Sequence, residues 1–115
     1  MPGTVTMPET GTAPDTDNAT KDALVPLFHV VLLDDDDHTY DYVVEMMMKL
    51  FLKSESEAFQ HAVEVDSAGR TIVITCEQPH AEFARDQIHG YGVDWRMPKC
   101  KGSMSAVIEP ASPSA

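Results

Sequence analysis

Positive charge is scarce in this chain of 115 residues, which carries 8 Lys and Arg against 19 Asp and Glu and has a formal net charge of −11. Nucleic acids and anionic membrane surfaces attract proteins through clustered Lys and Arg. The charge balance therefore argues against both as partners. It is compatible with the capture of a cationic group, and equally with plain solubility.

Cysteine and long apolar runs are scarce as well. Cys76 and Cys100 are the only cysteines, and two at this spacing do not make a disulfide framework. No apolar run approaches the roughly 20 residues that span a bilayer, and the N-terminus lacks the basic and apolar regions of a secretory signal. We therefore expect a reduced, cytoplasmic protein.

Motifs of catalysis and metal binding are missing from the sequence. It contains no Gly-x-Ser-x-Gly, no phosphate-binding loop and no Cys-x-x-Cys. The five His residues show no ligand spacing with each other or with the cysteines. We therefore expect a protein that is not an enzyme and that binds no metal or other cofactor.

The length predicts one domain with a single two-layer core. Residues 1–25 are rich in Thr, Pro, Gly, Asp and Ala and show no period of 2 or 3.6, which predicts a disordered N-terminal extension. We expect the folded domain at residues 26–110 and a loose tail at 111–115.

The folded part opens with the apolar run LFHVVLL at residues 27–33, which predicts a buried strand, and four aspartates at 34–37 end it. A helix is predicted from Thr39 to Leu52, with Thr39 as its N-cap. Its apolar stripe is formed by Val43, Met46, Met47 and Leu50.

The middle of the chain predicts a second helix and a hairpin. Ser54 followed by Glu57 is a capping box. The inner face of this short helix is expected to be Ala58, Phe59 and Ala62. Residues 63–65 are interpreted as a short extended piece, 67–69 as a turn and 71–76 as a strand, so these segments predict a hairpin.

A third helix is predicted at residues 79–89, with Pro79 in its first turn and Gly90 as its C-cap. A long loop follows, in which Trp95 is expected to join a small satellite core, with an exposed contact as the alternative. A last strand is predicted at 102–109. The order β-α-α-β-β-α-β predicts an α+β fold, a small two-layer sandwich with helices on one face of a mostly antiparallel sheet.

The four aspartates at 34–37 admit three interpretations. They can cap a helix and solvate a turn. A calcium loop of the EF-hand type is disfavoured, because the position that requires Gly is Tyr40 when the motif starts at Asp35. They can also hold an ammonium group, which has three donors and is best met by several acceptors with at least one carboxylate.

Four stretches of the sequence resemble the ClpS family of ATP-dependent Clp protease adaptor proteins. The run LFHVVLLDDDDHTYDYVVEMMMKLF is similar to the family's apolar strand, Asn-Asp-Asp, polar turn with Thr, and helix opening with Phe-Val or Tyr-Val. VEVDSAGRTIVI resembles the family's next turn and strand, HAEFARDQIHGYG its third helix, and SMSAVIEP its last strand. The resemblance covers residues 27–110.

The resemblance implies a monomeric adaptor. Such adaptors bind N-degrons, which are substrate N-termini that start with Phe, Tyr, Trp or Leu. They deliver these substrates to a Clp chaperone of the AAA+ class, ClpA-like or ClpC-like, with its protease. In the family an Asn, an Asp and a His hold the substrate's α-amino group.

In register, the positions that match this Asn, Asp and His are Asp34, Asp35 and Asp66. Asp34 replaces an amide that both donates and accepts, and Asp66 replaces an imidazole. These two substitutions keep an alternative open, a diverged ClpS-like peptide or protein binding module with a different ligand.

The resemblance also implies a hydrophobic pocket for the first side chain. The matching positions are Leu32, Leu33, His38, Tyr40, Val43, Ala62, Val65 and Met104. Tyr40 and Ala62 depart from the family's commoner Met. Docking of the chaperone is expected at charged residues of the third helix, for which Glu82 and Arg85 are the candidates.

Overall fold

A computed structural model describes residues 25–111 of the chain. The predicted N-terminal extension lies outside these residues except for its last position, and so does the predicted tail except for Ala111. Three strands and three helices follow each other in the order β-α-α-β-α-β. No helix within 25–111 is both long and apolar enough to cross a membrane.

The sheet has three antiparallel strands with β1 (Leu27–Leu33) in the centre, between β2 (Arg70–Glu77) and β3 (Ala106–Pro110). The central position explains why Val30, Val31 and Leu32 are fully buried, as the apolar run predicts. β3 begins four residues later than predicted, because residues 102–105 belong to the preceding loop.

Helix α1 (Tyr40–Phe51) has the predicted N-cap, since the Thr39 hydroxyl accepts a hydrogen bond from the backbone N–H of Tyr42. Its buried face consists of Tyr42, Val43, Met46 and Met47. The helix ends at Leu52, which adopts the left-handed conformation with φ of 54°.

Helix α2 (Glu55–Ala68) begins with the predicted capping box of Ser54 and Glu57 but is longer than predicted. The prediction of an extended piece at residues 63–65 and of a hairpin at 67–69 is wrong. These residues continue the helix up to Gly69, whose left-handed φ of 85° and N–H bond to the Val65 carbonyl end it. The predicted order therefore loses one strand.

Helical spacing explains why α2 continues. Ala58, Ala62 and Val65 lie at i, i+4 and i+7 and are all buried against the rest of the domain. Burial of this stripe outweighs the preference of the two valines at 63 and 65 for a strand. Phe59, predicted on the inner face, is 51% exposed, so that prediction is wrong.

Helix α3 (Gln78–His89) has Pro79 in its first turn and ends at Gly90, as predicted. Its inner face is Ala81, Ala84 and Ile88. The loop after α3 carries Trp95, which is 77% exposed, so the favoured prediction of a satellite core is wrong and the alternative of an exposed residue holds.

The core joins residues of the helices to residues of the sheet, as a two-layer sandwich requires. Among the described residues, Thr71 and Asp94 are polar residues that are buried as a whole. The α+β prediction is confirmed, and the loop between β1 and α1 lies at one end of the central strand.

Candidate functional site

The loop between β1 and α1 carries the four aspartates, and backbone hydrogen bonds fix its start. The N–H of Leu33 donates to the Ser105 carbonyl at 2.9 Å, and the N–H of Asp34 donates to the Gly69 carbonyl at 3.0 Å. Within the loop, the N–H of Asp37 donates to Oδ1 of Asp35 at 2.9 Å. The loop is thereby attached to the end of α2 and to the loop before β3.

Asp94 fixes the end of the acidic loop. Its Oδ2 accepts bonds of 2.8 Å from both the N–H and the hydroxyl of Thr39, and its Oδ1 accepts from the N–H of Arg96 at 3.0 Å. Burial of Asp94 acts to raise its pKa, but the bonds from Thr39 and Arg96 outweigh burial and hold the pKa below its ordinary value. Asp94 therefore supports the start of α1 as a buried carboxylate.

His38 lies against Asp35. Its Nδ1 is 2.8 Å and 2.9 Å from the two carboxylate oxygens of Asp35, and its Nε2 is 2.7 Å from the Gly102 carbonyl. The Sγ of Cys100 lies 3.3 Å from the same Nε2, and the ring packs on Tyr42 with centroids 4.4 Å apart. The His38 side chain is 3% exposed, so it forms a polar support behind Asp35.

Asp66 lies in the last turn of α2 and faces the first residue of α1. The hydroxyl of Tyr40 donates to Oδ2 of Asp66 at 2.7 Å. The Tyr40 ring packs on Phe59 with centroids 5.9 Å apart. The pKa of Tyr40 is raised, first by its bond to Asp66, then by burial and by the charges of Asp66 and Asp34.

These elements enclose a small cavity, which we call the acidic cavity. Its lining residues are Asp34, Asp35, His38, Thr39, Tyr40, Val43, Ala62, Val65, Asp66 and Met104. Its volume is about 50 Å³, which is room for a few water molecules and far below the several hundred Å³ of typical ligand sites. Three carboxylates and four apolar side chains are among its lining residues, so it offers both charged and apolar contacts.

Most of the predicted site residues meet at the acidic cavity, including all three carboxylates. Leu32 and Leu33 are not among its lining residues. Thr39 lines the cavity and was assigned only a capping role by the sequence. Asp94 was missed altogether, since no local pattern signals a partner 55 residues from Thr39.

The candidate docking residues lie on α3 and form hydrogen bonds with neighbours on the same helix. Glu82 accepts a bond from Gln78 at 3.2 Å, and Arg85 pairs with Asp86 at 3.2 Å. Phe83, between them in sequence, is largely exposed. Within residues 25–111, no group of three or more His, Cys, Asp and Glu is arranged to hold a metal ion.

Comparison with known proteins agrees with this architecture. Residues 24–96 match the family model described as the ATP-dependent Clp protease adaptor protein ClpS. The ClpS adapter protein of Gloeobacter violaceus is 33% identical over 70 residues, which are 60% of this chain and 75% of that protein. The ClpS adapter protein of a Synechococcus species is 31% identical over 87 residues, which are 75% of this chain and 93% of that protein.

A solved structure has the same fold. It is Agrobacterium tumefaciens ClpS2 bound to L-phenylalaninamide, with a TM-score of 0.64 and 22% identity, covering 74% of this chain and 96% of that one. The family match extends over more than half of the chain, and the Synechococcus relative is covered almost completely. This chain therefore belongs to the ClpS family of ATP-dependent Clp protease adaptor proteins.

Proposed function

We propose that this chain binds N-degrons, proteins whose first residue is Phe, Tyr, Trp or Leu, and delivers them to a ClpA-like or ClpC-like AAA+ chaperone with its protease. Members of the ClpS family are adaptors of a Clp protease and not enzymes. The observation that carries the proposal is that Asp34, Asp35 and Asp66 line one small cavity together with apolar side chains.

The carboxylates that line the acidic cavity suit an α-amino group. An ammonium group offers three donors and a positive charge, and an ionised carboxylate offers about four acceptor positions. Asp35 and Asp66 therefore keep acceptor capacity beyond their bonds to His38 and Tyr40. Charge-assisted bonds of this kind are about twice as strong as neutral ones, so a free N-terminus would be preferred over a blocked one.

The apolar residues of the lining suit the first side chain of the substrate. They are Val43, Ala62, Val65 and Met104, all of which are buried. Burial of an aromatic or Leu side chain against such walls is favourable. The similar structure of ClpS2 contains L-phenylalaninamide, a ligand with a free α-amino group and an aromatic side chain, which supports the same assignment here.

Helix α3 is proposed as the surface that meets the chaperone. Glu82 and Phe83 are exposed on it, and Arg85 lies half-buried beside them. Aromatic side chains and Arg are enriched at protein interfaces. Replacing Glu82 and Arg85 should then reduce delivery without changing peptide binding.

Isothermal titration with three peptides that differ only in their first residue tests the residue preference. We expect Phe- and Leu-starting peptides to bind and a Met-starting peptide to bind much more weakly. The alternative, a diverged module with a different ligand, is kept open by carboxylates at positions 34 and 66 where the family has an amide and an imidazole. Failure of every free N-terminus to bind would favour that alternative.

A further inference from the structure

Tyr40 contacts both a carboxylate and an aromatic ring at the acidic cavity. Its hydroxyl donates to Oδ2 of Asp66 at 2.7 Å. Its ring is one of the cavity walls and packs on Phe59, which is half exposed on α2. A single side chain of this protein therefore connects the two places where a substrate would be held.

The phenol hydroxyl makes the same kind of bond that an ammonium group would make. Both are hydrogen-bond donors, and each is satisfied by a carboxylate oxygen. The pKa of Tyr40 is raised by its bond to Asp66 and by the nearby charges, so the hydroxyl keeps its proton at neutral pH. In the free protein, Asp66 thus already has a donor of its own.

The small volume of the cavity agrees with a binding site that Tyr40 itself fills in the free protein. About 50 Å³ holds a few water molecules but no aromatic side chain. Tyr40 is 40% exposed and is the first residue of α1, so its side chain can turn outward without disturbing the buried face of the helix. Val43, one turn further along, is buried and has no such freedom.

We propose that Tyr40 is an internal competitor of the substrate: its hydroxyl holds the Asp66 carboxylate, and its ring closes the acidic cavity, until the substrate's α-amino group and first side chain displace both. This inference rests on the proposed function. Amine binding and opening of the cavity for the first side chain then become a single event. The bond that the amine replaces, from the Tyr40 hydroxyl to Asp66, is the one that holds the Tyr40 ring in place.

The first experiment compares the affinity of a Phe-starting peptide for the wild-type protein, Tyr40→Phe and Tyr91→Phe. Tyr40→Phe keeps the ring and removes the bond to Asp66, so we expect about 3- to 10-fold tighter binding, as for a partly exposed bond to a charged group. Tyr91→Phe removes a hydroxyl from a residue outside the cavity lining and should leave the affinity unchanged. Equal or weaker binding by Tyr40→Phe would overturn the proposal.

The second measurement follows the contact between the Tyr40 and Phe59 rings by NMR at neutral pH, in the free protein and in the complex with the peptide. The ring centroids are 5.9 Å apart in the free protein, so we expect nuclear Overhauser effects between the two rings that are lost when the peptide displaces Tyr40. Effects of equal strength in both states would overturn the proposal.

The two proposals fail in different ways. Suppose that the wild-type protein binds the free peptide and not the acetylated one, and that Tyr40→Phe binds the free peptide with the same affinity. Tyr40 is then not a competitor of the substrate, and the proposed function stands. Absence of binding by both wild type and Tyr40→Phe rejects the proposed function, and the competitor with it.

Discussion

The Nδ1 atom of His38 lies 2.8 Å and 2.9 Å from the two carboxylate oxygens of Asp35, within the acidic loop. The other ring nitrogen reaches the Gly102 carbonyl at 2.7 Å. His38 is thus a positioning residue for Asp35. An apolar residue of similar size could line the cavity but could not orient the carboxylate.

Replacement of His38 by Phe should weaken binding of a Phe-starting peptide by about 5- to 20-fold, because a bond to a charged group is lost. His38→Gln retains one donor for Asp35 and should recover part of the affinity, as measured by isothermal titration. His80, exposed at the start of α3, provides the control His80→Gln. Equal loss in the Phe and Gln variants would argue against a positioning role.

Replacement of Asp35 by Ala should cost about 2–5 kcal/mol of peptide binding free energy, as expected when a desolvated ammonium loses its carboxylate. Asp36→Ala removes the same charge from the same loop, at an exposed residue outside the cavity lining. It should cost far less. A loss below about 0.5 kcal/mol for Asp35→Ala would place Asp35 outside the site.

Replacement of Asp94 by Ala should lower the free energy of unfolding by about 2–3 kcal/mol. The N–H and the hydroxyl of Thr39 would lose their acceptor at the start of α1. Urea denaturation measures the loss. Asp86→Ala, exposed on α3, is the matched control and should change stability by less than about 0.5 kcal/mol.

The same carboxylate predicts a pH dependence. The pKa of Asp94 is lower in the folded protein than its ordinary value. The contribution of Asp94 to the free energy of unfolding is therefore complete above about pH 4 and is lost as the pH falls through the folded-state pKa. Urea denaturation from pH 7 to pH 3 should show a smaller loss of stability in Asp94→Ala than in the wild type. Parallel curves for the two proteins would contradict the assignment.

Gly69 ends α2 with a φ of 85°, and its carbonyl accepts the N–H of Asp34. A Cβ added there meets no atom within 4 Å, so Gly69→Ala should cost about 1–2 kcal/mol of stability through backbone strain alone. Gly102→Ala also meets no atom within 4 Å and has no positive φ. The midpoint of thermal unfolding should therefore fall for Gly69→Ala and stay nearly constant for Gly102→Ala.

Capping residues in the sequence correctly predicted where helices begin or end. Thr39, the Ser54–Glu57 capping box and Gly90 each lie where the structure has a cap. Residues 63–65 were mispredicted because the β-branched valines favour a strand locally, whereas burial of the Ala58, Ala62 and Val65 stripe depends on tertiary packing.

The site could be predicted only where family register supplied positions. Register alone matched Asp34, Asp35 and Asp66 to the amine-binding positions, and these three do line one cavity. The Tyr40–Asp66 and Thr39–Asp94 bonds connect residues 26 and 55 positions apart. Sequence spacing carries no information about such contacts, so they emerged only from the fold.

The central claim is recognition of a free α-amino group by the carboxylates of the acidic cavity. Isothermal titration of the wild-type protein with one Phe-starting peptide, free and N-acetylated, tests it most directly. We expect the free peptide to bind and acetylation to lower its affinity by at least about 100-fold. Acetylation removes the positive charge of the α-amino group and with it several charge-assisted hydrogen bonds. Equal affinity for the two peptides would contradict it.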